Sequence, residues 1–247
     1  MKKFLLLLAL LVPMIAFTGC GKDDEDEPNV PNQTLNVGQT FTIPVNGEWT
    51  SDNKFIASVD GQTLKGVCAG ETSIRNGEQS FKVTVQPTLS LYKEPCLQFG
   101  SSKNKVKDAM RGFEEVETDS ESLSYYYVDG SNVVMYIYNF ENDGLKSTAV
   151  FLPTKMFTSS QVVDYLLERY IPVDASDKMA LMISPDKTVA VGVTVQRVSG
   201  VNMYEIIYIP YNPTKSGEDL FNLVENNVVI KGETVENDIY KNIFSNR

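Results

Sequence analysis

The chain contains no histidine. That removes the side chain most often used as a general base and most often found on transition metals. Positive charge is also short. Twenty-two Lys and Arg stand against 32 Asp and Glu, a net charge of −10. An acidic surface repels phosphate backbones, so nucleic acid is not an expected partner. Only three cysteines occur, Cys20, Cys68 and Cys96, and no Gly-x-Ser-x-Gly motif. Without histidine, a Ser or Cys nucleophile lacks its usual activating base. The acidic run Asp23–Glu27 has neither the alternating ligand spacing nor the glycine turn of a calcium loop. No cofactor, no metal and no catalysis are therefore expected. Carboxylate pairs such as Glu114-Glu115 follow a helix end and read as solvated.

A long apolar run is missing as well. Phe4 to Ile15 is apolar apart from Pro13, which falls short of the ~20 residues a spanning helix needs. Lys2 and Lys3 precede it and Phe17-Thr18-Gly19-Cys20 follows, the layout of an export signal. The last four residues resemble a lipobox, with Phe17 where an aliphatic residue is usual. The resemblance implies a lipoprotein signal peptide over 1–19 and a lipid, such as palmitate, on Cys20. One acyl chain holds a protein to a membrane only marginally, whereas two or more hold it stably. Gly21-Lys22 and five carboxylates come next. This stretch resembles the surface-export signal of Bacteroidota lipoproteins, which implies outer-membrane anchoring with exposure at the cell surface. Pro28, Pro31 and the charge run also predict an acidic disordered tether over 20–33.

Residues 34–87 read as all-β. Thr40, Thr42, Val45 and later Phe81, Val83, Val85 alternate with other residues, and turn signals fall at Asn46-Gly47, Asp60-Gly61 and Asn76-Gly77. Val37-Gly38, Trp49-Thr50-Ser51-Asp52-Asn53, Ile56-Ala57-Ser58-Val59, Gly66-Val67 and Ala69-Gly70 resemble a group 2 bacterial immunoglobulin-like domain. The resemblance implies a small β-sandwich plugged by Trp49, shortened between Val45 and Trp49, of a kind used as spacer and adhesion module.

Residues 88–247 read as an α+β domain with two helix–meander repeats, about 95–153 and 154–210. Phe99-Gly100-Ser101-Ser102 recurs as Phe157-Thr158-Ser159-Ser160, about 57 residues later. Val106, Ala109, Met110 and Phe113 mark one amphipathic helix, and Val163, Leu166, Leu167 and Tyr170 another. The serines before each are N-cap candidates. Three antiparallel strands are predicted after each helix. The layout resembles, at fold level, the BamE outer-membrane assembly lipoproteins and the tandem β-lactamase-inhibitor proteins, which implies protein binding or scaffolding. In the tail, Glu218–Val224 reads as a short helix and Val228–Ile230 as a strand.

The expected fold is thus multi-domain, β and α+β. The binding candidates are Tyr126, Tyr136 and Tyr138. On the strand Val133–Phe140, Tyr136, Tyr138 and Phe140 share a face opposite Val133, Met135 and Ile137. If the helices cover the aliphatic face, the tyrosines face outward as a contact surface; otherwise they pack under the tail or between the repeats. A Cys68–Cys96 disulfide and two buried thiols are both open. The expected role is a lipid-anchored surface binding or structural module for a protein or glycan ligand. The alternative is a periplasm-facing envelope-assembly scaffold.

Overall fold

A computed structural model describes residues 29–77, 79–129, 132–214, 217–227, 233–235 and 239–245. The expected signal peptide, Cys20 and the acidic run lie outside these residues, as does the strand expected at Val228–Ile230. The fold is β-rich, with three sheets and four short helices among the described residues.

Two small sheets form the N-terminal module. The strands β1 (Gln33–Asn36), β7 (Gln79–Gln86), β6 (Gly70–Asn76) and β3 (Thr50–Ser51) make one, in that order. The strands β2 (Thr40–Thr42), β5 (Thr63–Gly66) and β4 (Ala57–Asp60) make the other. Their inward residues share one core containing Leu35, Ile43, Leu64, Ile74 and Val83. Trp49 fills its middle. The indole packs edge-on against Phe81 at 5.5 Å and donates to the Val45 carbonyl at 3.0 Å, which satisfies the one polar atom of a buried ring. Gly70 has φ +150°, and a Cβ there would stand 2.9 Å from Ile56; both the angle and the space select glycine.

The second module is a single large sheet. Helix α1 (Lys103–Ala109) is followed by β8 (Glu114–Thr118), β9 (Ser122–Asp129), β10 (Asn132–Glu141) and β11 (Gly144–Pro153). Helix α2 (Ser159–Leu167) is followed by β12 (Ile171–Ala175), β13 (Ala180–Ile183), β14 (Val189–Val198) and β15 (Val201–Pro210). Each helix thus precedes four strands, not the predicted three. The additional strand is β8 in one half and β12 in the other, and these are the two edges. Glu114 and Glu115 sit in edge strand β8 and are exposed.

The sheet order β12-β13-β14-β15-β11-β10-β9-β8 joins two meanders through their last strands. Asn132 and Val189, which begin β10 and β14, are 57 positions apart. A bulge that leaves Lys146 unpaired, between Asn139↔Ser147 and Phe140↔Leu145, shortens the offset by one along β11. Val150 and Ile206 then become equivalent, and they pair directly. A local two-fold axis passes between them. Without the bulge, residues 147–153 would point to the wrong faces, because side chains alternate along a strand.

Helices α1, α2 and α4 (Ile239–Ser245) cover one face, over a core that includes Tyr136, Tyr138, Val150, Ile206 and Tyr208. Helix α3 (Gly217–Glu225) lies on the opposite face against Leu181, Ala190, Ile207 and Ile209. β14 is covered on both sides, and so reads Val-Ala-Val-Gly-Val-Thr-Val without polar alternation. The short strand β16 (Glu233–Thr234) pairs with the end of β14. The N-cap of α1 is the expected serine, Ser102, whereas that of α2 is a threonine. Thr158 caps α2 in a reciprocal capping box with Gln161, and Ser102 precedes α1 without a side-chain cap bond.

Candidate functional site

Of the two placements open for the candidate tyrosines, outward or packed inside, the structure shows the packed one for two of the three. Tyr136 and Tyr138 are 0 % exposed on the face the helices cover. Tyr126 alone of the three reaches solvent, at 36 % exposure. The outward stripe is therefore corrected to an inward one for Tyr136 and Tyr138, and the reason lies in their hydroxyls. The connector from Leu91 to Leu97 belongs to no helix or strand, so its buried backbone groups need partners from elsewhere. Tyr136 donates to the Lys93 carbonyl at 2.9 Å. Tyr138 accepts the Cys96 N–H at 3.2 Å and lies 2.9 Å from the Met110 sulfur. Tyr165 donates to Glu94 at 2.6 Å, and the Tyr92 and Tyr208 hydroxyls share a hydrogen bond at 2.5 Å. Thr148 donates to the Cys96 carbonyl at 3.2 Å. The stripe is a receptor for the chain's own connector. Burial raises the phenol pKa of Tyr92, Tyr136, Tyr138, Tyr165, Tyr170 and Tyr208. All six stay neutral hydrogen-bonding groups at ordinary pH.

Upstream of this connector, the two modules meet at the C-terminal end of α2. Glu168 is 9 % exposed. Its Oε2 accepts the N–H groups of Thr88 and Leu89, each at 2.8 Å, and its Oε1 accepts the Thr88 hydroxyl. Its backbone carbonyl accepts the Ala69 N–H of the N-terminal module at 2.7 Å. Arg169 lies over the Tyr165 ring at 3.7 Å and donates to the carbonyls of Leu89 and Tyr165 at 2.8 and 3.1 Å. It also pairs with Glu94. A third tie runs from Asn53 Nδ2 to the Pro185 carbonyl, 2.7 Å long, at the β13–β14 turn. The Asn53 bond is neutral, whereas those of the Glu168 carboxylate and the Arg169 guanidinium are charge-assisted and about twice as strong.

A cleft of about 410 Å³ opens beside the joint, lined by Glu71, Glu94, Arg169, Ser184 and Asp186 among others. Desolvation raises the Asp186 pKa, but hydrogen bonds from Ser184 and Thr188 outweigh it and hold the carboxyl below its ordinary value. Cys68 is buried here, and burial pushes its thiol up to about 12. It is a packing thiol, since the reactive form is the thiolate. Cys68 and Cys96 are both free, so they form no disulfide. Among the described residues, no group of three or more His, Cys, Asp or Glu is placed to hold a metal ion.

The joint has no advance mark in the sequence. Glu168 and Arg169 look like ordinary charged residues at a helix end, and their partners at Thr88 and Leu89 lie 80 positions away or nearly so. No family model matches the chain, and no curated protein matches it either.

Proposed function

We propose that the chain is a lipoprotein of the bacterial outer membrane, anchored through Cys20 and displayed at the cell surface. In this reading the N-terminal module is a shortened immunoglobulin-like sandwich that acts as a stalk. The large-sheet module, a tandem α+β domain, is a non-catalytic head that binds a protein or glycan. The observation that carries the reading is the joint at Glu168. A stalk has to hold its head in a set direction, and Glu168, whose carboxylate grips Thr88 and Leu89 just after β7 and whose carbonyl accepts the Ala69 N–H of the N-terminal module, does that where a loose linker would not. Trp49 on Phe81, and Gly70 facing Ile56, supply the plug and tight turn that the immunoglobulin-like resemblance requires.

The test is made in cells. An alkyne-palmitate label is expected on the wild-type protein and not on Cys20→Ala. Protease added to intact cells is expected to remove the protein. Protection until the outer membrane is permeabilised would overturn surface display and favour the periplasm-facing scaffold.

A further inference from the structure

The local two-fold axis relates two patches on the face opposite α1 and α2, and among the described residues only one of them has a helix on it. In the second half, Leu181 pairs with Gly192 and Ile183 with Ala190. In the first half, the equivalent pairs are Tyr126 with Met135 and Val128 with Val133. Helix α3 buries the second-half patch by laying Leu220 and Val224 on it, so that Leu181 and Ala190 are 0 % exposed. The first-half patch keeps Tyr126 at 36 % and Val128 at 59 % exposure, with Val133 and Met135 only half-buried. After β11 the chain turns to the other face to form α2, which leaves this half without a counterpart of α3 at the same point of the repeat. The rim has a sign. Glu114 pairs with Tyr126 across β8 and β9, shares its face, and is exposed.

We propose that the Tyr126–Val128–Val133–Met135 corner is a docking site for an amphipathic helix of another protein, one with an apolar i, i+4 pair and Lys or Arg beside it. α3 shows that this sheet face accepts such a helix, and Glu114 sets the charge. Gly192 lets Val224 approach so closely that a Cβ there would stand 2.2 Å from it. Met135 occupies the equivalent place, so the partner helix carries a small residue opposite it. A flexible thioether adapts to that contact. The proposal rests on the large-sheet module being the binding part and is independent of the lipid anchor.

The probe is a stapled peptide of residues 217–227 carrying Val224→Ala, Glu218→Lys, Asp219→Lys and Glu225→Lys, titrated into the purified protein. Saturable binding is expected, with slowed hydrogen exchange over 123–128 and 133–137. Val128→Asp, at an exposed position that leaves the circular dichroism unchanged, is expected to weaken binding at least tenfold. The same peptide with its three acidic residues retained is expected to bind more weakly. No saturable binding, protection elsewhere, or indifference to Val128→Asp would overturn the proposal while leaving the cell-shaving result standing. Sedimentation showing a dimer that Val128→Asp dissolves would overturn it too, because the occupant would then be a second copy.

Discussion

At Tyr138 the ring is enclosed in the core while the hydroxyl meets the Cys96 N–H. Phenylalanine would fill the same space and leave that N–H without its partner. Tyr138→Phe is expected to cost about 1–2 kcal/mol in urea denaturation, and Tyr126→Phe less than about 0.5 kcal/mol. Equal costs would mean that the stripe is not held by its hydroxyls. Glu168→Ala strips the acceptor from Thr88 and Leu89 at once. The expected loss is about 2–3 kcal/mol, seen in calorimetry as one melting transition separating into two, one for each module. A single unbroken transition would show that the modules are coupled by something else. The aromatic stripe itself is legible in the sequence, but its direction is not. Alternation says that Tyr136 and Tyr138 share a face, and only the partner segment at Leu91–Leu97 decides which face is covered.

The central strands are readable in the sequence, and those at the edges are not. β10, β11, β14 and β15 announce themselves by long apolar stretches ending in tight turns. Ser199 and Gly200 both take positive φ, as a two-residue hairpin requires. The first hairpin places positive φ on Asn142 and Asp143, one position before the expected Asp143-Gly144. β8 reads Glu-Glu-Val-Glu-Thr and β12 Ile-Pro-Val-Asp-Ala. Charge and proline are what protect an open edge, and the same residues argue against a strand in sequence. Helix α4 is no shorter than α1, and its Ile239, Tyr240 and Ile243 lie at helical spacing, so it is a missed element that the sequence does carry. The helix starts differ in a measurable way. Thr158→Ala breaks the capping box and is expected to cost about 1 kcal/mol. Ser102→Ala removes no side-chain cap bond and is expected to be near neutral. Equal losses in thermal melts would contradict this assignment of caps.

The connector is bound to the large sheet and α2 largely through neutral phenols, and this makes the whole molecule sensitive to base. The buried tyrosines have folded-state pKa values raised above the ordinary value of 10. Their contribution to stability is fully present below pH 10, and it is lost as pH rises from there through the folded-state values. Alkaline unfolding is expected to begin near pH 10, with phenolate absorbance and loss of circular dichroism rising together. Phenolate appearing several pH units before any loss of structure would refute it. The connector also has a place in time. Its partners Tyr136, Tyr138, Tyr165 and Tyr208 lie 43, 42, 71 and 116 positions downstream of Lys93, Cys96, Glu94 and Tyr92. Contacts of such long separation close late in folding. The N-terminal module closes its longest strand pairing, β1 on β7, over 50 positions, whereas the Tyr165 and Tyr208 contacts span 71 and 116, so the module is expected to complete itself while the connector is still slack. The direction in which the first module points is therefore fixed only after most of the second has formed.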